Sequence, residues 1–215
     1  MNIDTILFDF DYTLADSSKG VFDCVNYALG KMGYAKSVFT EVCKTIGMSL
    51  PLTFSFLTNQ NNEKETEIFR KLFIERADQV MSDYTQLFDF VPVTLNKLKS
   101  HDLTLGIVST KFRYRIEGIL GRENLLDYFT IIVGGEDVRS HKPDPEGLKL
   151  AMLELSASPE NCLYVGDSSV DGELSLKGNV KFAGVCTGTT KAEEFKKYNP
   201  LFICDSVKQL PGQLF

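Results

Sequence analysis

Short apolar runs recur along the chain and end in polar or small residues. Near-continuous apolar runs of this kind are typical of strands that are buried on both faces, as in a parallel sheet. We therefore predict six strands, at residues 6–8, 103–108, 129–133, 162–165, 182–186 and 201–204.

Segments with helical periodicity lie between most of these predicted strands. Residues 92–100 open with Pro92, which suits the first turn of a helix because the missing N–H is not needed there. Residues 145–156 open with Pro145 and place their apolar side chains on one helical face. Strands that alternate with helices predict an α/β fold, a Rossmann-like core with a doubly wound parallel sheet.

The segment 17–88 interrupts this alternation. Apolar residues recur there at helical spacing, most clearly in the stretches 21–32 and 68–81. We therefore predict a helical cap that is inserted after the first strand. The α/β catalytic core then consists of residues 1–16 and 89–215.

One stretch of this cap, residues 50–57, is ambiguous. Its apolar residues alternate along the chain as they would in a strand. However, Ser49 and Pro51 resemble the start of a helix, and Leu57 breaks the alternation. We interpret this stretch as a helix.

Composition and charge narrow the range of partners. The chain has 215 residues, of which 43% are hydrophobic, and its net charge is -6. It has no basic run of the kind that binds nucleic acid, and no apolar segment approaches the length of a membrane span. The start lacks the features of a signal peptide, and the five cysteines are scattered without a CxxC motif. We expect a cytoplasmic protein with no nucleic-acid or membrane partner, and the sequence leaves the oligomeric state open.

An acidic pair follows the first predicted strand. Asp9 and Asp11 are two residues apart, so both point the same way from an extended strand end. Such a pair can bind a divalent cation, or one member can attack an electrophile while the other transfers a proton. Ser109, Thr110 and Asp167 follow two other predicted strands, and we expect them on the same rim of the sheet. This combination fits phosphoryl transfer through an aspartyl-phosphate.

Four motifs lie beside predicted elements in a fixed order. They are Asp9-Phe10-Asp11-Tyr12-Thr13-Leu14, Ser109-Thr110-Lys111, Lys142-Pro143-Asp144-Pro145 and Gly166-Asp167-Ser168-Ser169-Val170-Asp171. With the helical insertion after the first motif, nearly the whole chain resembles the haloacid dehalogenase-like hydrolases. The resemblance is to the phosphatase branch that includes phosphoglycolate phosphatases and beta-phosphoglucomutases. It implies Mg²⁺-dependent hydrolysis of a small phosphate monoester.

The resemblance also implies a role for most of the motif residues. Asp9 would be the nucleophile, and Asp11 would be the general acid and base. Mg²⁺ would be held by Asp9, the backbone carbonyl of Asp11 and Asp167. Phosphate oxygens would be bound by Ser109, Thr110 and Lys142.

Other motif residues would support the site or depart from the family pattern. Asp171 would position water at the metal, or it would cap the helix that follows. Thr13 would form a hydrogen bond within its loop and orient Asp9. Tyr12 stands where the family more often has glycine, which restricts the backbone. Lys111 is expected to lie in a loop without a catalytic role.

The sequence leaves several related activities open. A phosphosugar mutase would use the same core residues but would have to keep water away from Asp9. A pyrophosphatase or a nucleotidase would differ in the surface of the cap. A phosphometabolite-binding protein on this fold would be expected to lose some of these core residues, and all of them are present. We expect a phosphatase that resembles phosphoglycolate phosphatase and acts on a small phosphorylated metabolite beneath a closing cap.

Overall fold

Eight strands and ten α-helices make up most of the regular structure of residues 3–215, which this computed structural model describes. Met1 and Asn2, which the sequence analysis assigns to the core, lie outside the described residues. In chain order the strands are β1 (Thr5–Phe8), β2 (Ala15–Asp16), β3 (Gln86–Leu87), β4 (Thr104–Val108), β5 (Ile131–Val133), β6 (Cys162–Gly166), β7 (Lys181–Val185) and β8 (Phe202–Cys204).

The helices include two that the sequence predicts from prolines at their start, α5 and α7. Among the described residues, no helix combines the length and the hydropathy that crossing a membrane requires. In chain order the helices are α1 (Ser18–Lys31), α2 (Phe39–Cys43), α3 (Leu50–Thr58), α4 (Glu63–Tyr84), α5 (Val91–Lys99), α6 (Arg113–Arg122), α7 (Glu146–Leu155), α8 (Ser169–Gly178), α9 (Ala192–Phe195) and α10 (Leu210–Leu214).

Six strands form one parallel sheet in the order β5-β4-β1-β6-β7-β8. The central strand is β1, and its last residue, Phe8, lies opposite Ile107 of β4 and Val165 of β6. The residues that follow β1, β4 and β6 therefore meet at one edge of the sheet. All six predicted strands are confirmed, with bounds that agree within two residues, and so is the predicted α/β class.

Helices cover both faces of this sheet. One apolar cluster contains Ile6 and Phe8 of β1 and side chains from α5, α6 and α10. The other contains Leu7 of β1 and side chains from α7, α8 and α9. Both faces of each central strand are therefore buried, which explains why these strands read as continuous apolar runs.

The chain divides into two compact units. The first unit contains the six-stranded sheet and is made of two segments, the residues up to Ala15 and Leu87–Phe215. The second unit is the continuous segment Asp16–Gln86. The division falls within β2 and β3, which pair with each other.

The second unit is built from α1 to α4 around a core of its own. Phe54 of α3 is fully buried there, with its ring centroid 5.3 Å from that of Phe69 on α4. The prediction of a helix at 50–57 is confirmed by α3. The misleading alternation arises because Leu52 and Phe56 are exposed on the opposite side of that helix.

Candidate active site

The loop after β1 is a tight turn that places the first motif. The carbonyl of Phe10 accepts the backbone N–H groups of Leu14 and Ala15, and the N–H of Tyr12 donates to the carbonyl of Ala15 at 2.6 Å. Tyr12 has a φ of +59°, in the left-handed region that costs a non-glycine residue about 1–2 kcal/mol. The turn therefore needs the conformation that glycine adopts freely, and tyrosine adopts it here.

Asp9 is a buried carboxylate at the end of β1. Its side chain is 1% exposed, and its backbone N–H donates to the carbonyl of Val165 at 2.8 Å. Lys142 Nζ lies 2.8 Å from Asp9 Oδ1, but among the described residues neither carboxylate oxygen has an aligned hydrogen bond. Burial raises the pKa of Asp9 to about 6, although the charge of Lys142 opposes the rise. Asp9 therefore keeps both oxygens available to a ligand.

Lys142 supplies positive charge beside Asp9. The residue is 6% exposed, and its Nζ lies 2.8 Å from Asp171 Oδ1 and donates to Tyr164 Oη at 3.0 Å. Burial opposes the charge on Lys142, but the carboxylates of Asp171 and Asp9 hold its pKa well above the ordinary value. This side chain is therefore a permanent cation in a buried site.

Tyr164 of β6 fixes the position of this ammonium, although it belongs to none of the four sequence motifs. The side chain is fully buried, and its hydroxyl donates to the carbonyl of Val108 at 2.7 Å. Because a phenol has one proton, its contact with Lys142 is one in which the tyrosine accepts. Burial raises the pKa of Tyr164 well above its ordinary value, so the hydroxyl stays neutral. A lone hydroxyl in an otherwise apolar strand was the only signal in the sequence.

Asp167 lies beyond β6 and is also buried. Burial and the charges of Asp171 and Asp9 raise its pKa well above the ordinary value. Thr13 Oγ1 donates to Asp167 Oδ1 at 3.2 Å. The sequence predicts that Thr13 forms a hydrogen bond within its loop and orients Asp9, and this prediction is wrong because the turn after β1 directs the hydroxyl to Asp167.

Asp171 takes part in the cap of the helix that follows, which is one of the two roles the sequence allowed, while its role in positioning water at a metal stays a prediction. It lies in the first turn of α8 and forms a capping box with Ser168, whose N–H and Oγ–H donate to Asp171 Oδ2 at 3.0 and 2.5 Å. The cap residue itself is Ser168, and Asp171 reaches back to it. Its other oxygen, Oδ1, accepts from Lys142 at 2.8 Å. The helix start therefore positions the lysine.

Three of these carboxylates form a group that could hold a metal ion. Asp9, Asp167 and Asp171 each bring one oxygen within 4.8 Å of the others. Together with Lys142 they carry a formal charge of about -2 in a buried site, which a divalent cation would neutralise. Carboxylate oxygens are the ligands that Mg²⁺ prefers, and the two unbonded oxygens of Asp9 fit such an ion.

The loop after β7 also approaches this acidic group closely. A Cβ added to Gly188 would collide with Asp167 Oδ2. Thr187, the residue before it, donates its Oγ1–H to the carbonyl of Tyr12 in the first motif. The loop is therefore tied to the turn after β1, and it requires a residue without a side chain beside Asp167.

Asp11 is paired with a lysine that the sequence analysis left out of the site. Lys111 Nζ donates to Asp11 Oδ1 at 2.8 Å, and the two residues are 8% and 7% exposed. The same ammonium lies 5.8 Å from the centre of the Phe10 ring. The expectation that Lys111 lies in a loop holds, but its side chain points into the site because a buried carboxylate attracts it.

Ser109 and Thr110 lie directly beyond β4. Ser109 is buried, its N–H donates to the carbonyl of Val133 at 3.0 Å, and its Oγ accepts the N–H of Lys111 at 3.3 Å. The serine O–H can still donate to a ligand. Thr110 is half-buried, and its carbonyl lies so close to Gly135 that a Cβ there would collide with it. The loop is therefore held rigidly on both sides.

Three known proteins are similar to this chain over most of its length. A family model described as haloacid dehalogenase-like hydrolase matches residues 6–185. The chain is 30% identical over 210 residues to the pyrophosphatase PpaX of Oceanobacillus iheyensis. The aligned region covers 98% of this chain and 96% of that protein. The chain is also 34% identical over 187 residues to a phosphoglycolate phosphatase of Aquifex aeolicus, and this aligned region covers 86% of each protein. A solved structure described as a haloacid dehalogenase-like hydrolase from Bacteroides fragilis is 43% identical, with a TM-score of 0.94 over 97% of this chain and 99% of that one.

Proposed function

The chain belongs to the haloacid dehalogenase-like hydrolases, and from that premise we propose that it hydrolyses a small phosphate monoester through an aspartyl-phosphate, with Mg²⁺ as cofactor. The observation that carries the proposal is Asp9. It is a buried carboxylate whose two oxygens have no aligned hydrogen bond among the described residues, and an ammonium lies 2.8 Å from one of them. A nucleophile needs a free oxygen, and a phosphate ester needs a nearby cation.

Asp9 supplies the nucleophile in the first step. One of its oxygens attacks the phosphorus, and the bond between phosphorus and the leaving oxygen breaks. With a pKa of about 6, Asp9 is ionised at neutral pH. Lys142 offsets the repulsion between this carboxylate and the phosphoryl group, and Tyr164 and Asp171 hold its ammonium in place.

Asp11 transfers the protons. Asp11 carries a proton into the first step and gives it to the leaving oxygen, and in the second step the resulting carboxylate takes a proton from the water that attacks the phosphorus. The bond between phosphorus and the Asp9 oxygen breaks as water attacks, phosphate is released, and Asp9 and Asp11 return to their starting states. The contact with Lys111 holds the carboxylate of Asp11 in position.

The remaining residues bind the phosphate and the cofactor. The hydroxyl of Ser109, the N–H of Thr110 and the ammonium of Lys142 bind the oxygens of the transferred phosphoryl group. Mg²⁺ would be held by Asp9, the backbone carbonyl of Asp11 and Asp167, and when bound it neutralises negative charge on the reacting groups.

Two substrates are favoured by the relatives. Phosphoglycolate is the first, because the Aquifex aeolicus relative is a phosphoglycolate phosphatase that matches 86% of the chain. Pyrophosphate is the second, because the Oceanobacillus iheyensis relative is a pyrophosphatase that matches 98% of it. The same core residues can cleave either compound, since the bond to phosphorus is broken in the same way.

The test is release of phosphate from phosphoglycolate, pyrophosphate and a panel of nucleotides, with Mg²⁺ and with chelator. We expect release that depends on Mg²⁺ and that falls by several orders of magnitude in Asp9→Asn, which keeps the shape of the side chain. Asp127→Asn is the matched control, because Asp127 is an exposed aspartate that belongs to none of the motifs. Near-normal turnover by Asp9→Asn would contradict the assignment of Asp9 as the nucleophile.

A further inference from the structure

The site contains two buried ammonium groups, and the proposed reaction accounts fully for only one. Lys142 contacts the nucleophile, Asp9, and neutralises the transferred phosphoryl group. Lys111 contacts Asp11 and is nearly as buried as Lys142. Removing a lysine from water is costly unless its charge is compensated. While Asp11 holds the proton for the leaving oxygen it supplies no negative charge, so Lys111 then calls for a second anion.

Lys111 lies on the side of the site from which the leaving group departs. Its Nζ is 2.8 Å from Asp11 Oδ1, and in the proposed reaction Asp11 protonates the leaving oxygen. A group that contacts the side chain of Asp11 is therefore close to whatever is attached to that oxygen.

The backbone of Lys111 is held in a fixed place. Its N–H donates to Ser109 Oγ at 3.3 Å, and its carbonyl accepts the N–H of Gly135 at 3.0 Å. The long side chain therefore starts from a rigid point and crosses toward Asp11 near the ring of Phe10. Such anchoring favours an ammonium with a defined position over a mobile surface charge.

The ammonium also keeps hydrogen-bonding capacity. A lysine has three N–H donors, and Asp11 accepts one of them. A second anion can therefore bind Lys111 without breaking its contact with Asp11.

We propose that Lys111 binds an anionic group on the leaving part of the substrate, a carboxylate or a second phosphoryl group. The enzyme then selects phosphate esters in which a negative charge lies next to the bond that is broken. This inference rests on the proposed phosphatase function and names the substrate class of that site.

The experiment uses two substrates of the same chain length, phosphoglycolate and 2-hydroxyethyl phosphate, in which an uncharged hydroxymethyl group replaces the carboxylate. The wild-type enzyme is expected to have the higher kcat/KM for phosphoglycolate. Lys111→Met keeps much of the side-chain length but removes the charge, and the preference is expected to fall by about tenfold or more, the size expected for a charge-assisted hydrogen bond. Both substrates lose some rate because Asp11 loses its partner, so the ratio between them is the readout.

Three further variants complete the design. Lys111→Arg keeps the charge and is expected to retain more of the preference than Lys111→Met. Lys149→Met is the matched control, because Lys149 is an exposed lysine on α7. The preference of this variant for phosphoglycolate should equal that of the wild type. Should Lys111→Met not fold, Lys111→Gln removes the same charge and gives the same comparison.

The outcomes separate this inference from the function on which it rests. Equal losses for both substrates would overturn the inference and leave Lys111 as a partner of Asp11 alone. Equal efficiency of the wild type toward both substrates would overturn it as well. Failure of the wild type to hydrolyse any phosphate ester with Mg²⁺ would instead reject the proposed function.

Discussion

Replacing Asp9 with asparagine should make the metal-free protein more stable while it removes activity. Asp9, Asp167 and Asp171 share a buried site with one ammonium, that of Lys142. The negative charges therefore exceed the positive charge, and the fold holds Asp9 ionised at a cost. An asparagine side chain has nearly the same shape without the charge, so Asp9→Asn relieves this cost.

The raised pKa of Asp9 sets the size of the effect. Burial, opposed by Lys142, raises the pKa from 3.8 to about 6, so the native state binds this proton more tightly than the unfolded state does. Below pH 3.8 the ionisation of Asp9 therefore does not affect the free energy of unfolding. Between pH 3.8 and about 6 this free energy falls as the pH rises, and above about pH 6 it falls no further. A shift of about two units corresponds to about 3 kcal/mol, so we expect Asp9→Asn to gain up to about 3 kcal/mol at pH 7.5 and about half as much at pH 5.

Urea denaturation followed by circular dichroism measures this difference. Wild type, Asp9→Asn and the exposed-site control Asp127→Asn are compared at pH 7.5 and pH 5 in the presence of chelator. Equal slopes against urea will show that the native and unfolded states expose similar surface in each protein. Mg²⁺ should then reduce the difference at pH 7.5, because an ion that binds only the native wild type stabilises it.

Two results would refute this reasoning. One is an Asp9→Asn protein that is no more stable than the wild type at pH 7.5 in chelator, because the buried charge would then carry no cost. The other is a gain that is the same at both pH values, because a gain that arises from ionisation of Asp9 must shrink as the carboxylate becomes protonated.

Two further predictions concern neighbouring groups. Tyr164→Phe removes the hydroxyl between Lys142 and the carbonyl of Val108. We expect the free energy of unfolding in urea to fall by about 1–3 kcal/mol, and kcat to change more than KM. An unchanged kcat would contradict a positioning role for Tyr164. Gly188→Ala places a Cβ against Asp167, so half-maximal activity should require more Mg²⁺ than in the wild type. Gly118→Ala, where a Cβ meets nothing within 4 Å, is its control, and equal Mg²⁺ titrations would count against the crowding.

The fold could be predicted from the sequence because its signals are local. Each central strand is buried on both faces, so its whole run is apolar and stands out from its surroundings. The stretch that became α3 was harder, since Leu52 and Phe56 are exposed apolar residues and imitate the alternation of a strand. Pro51 in the first turn of that helix decided the interpretation correctly.

The site could be predicted only where a residue belongs to a motif beside a strand. The side chains of Asp9, Lys142 and Asp167 fall in that group, and the structure brings them together. Lys111 was misjudged because lysines in loops are usually solvated, and its partner Asp11 lies 100 residues away.

Other features of the site depend on three-dimensional contacts that no local pattern encodes. Thr13 donates to Asp167, 154 residues away, and not to its neighbour Asp9. Tyr164 lies in a strand where a buried aromatic residue needs no functional explanation. Only its contact with Lys142 shows that its hydroxyl positions the ammonium. Contacts of this kind follow from the topology of the sheet, which has to be known first.

The central place of β1 also has a consequence for how the chain is synthesised. Thr5 of β1 lies opposite Thr104 and Cys162, so its two partner strands leave the ribosome long after it. At about 5–20 residues per second, the wait for β6 is roughly 8–30 s. Both edges of β1 are unpaired until β4 is synthesised, and the edge that pairs with β6 stays unpaired for the whole wait, which exposes the nascent chain to aggregation. The segment Asp16–Gln86 has a core of its own, so its apolar side chains do not have to wait for β6 to be buried.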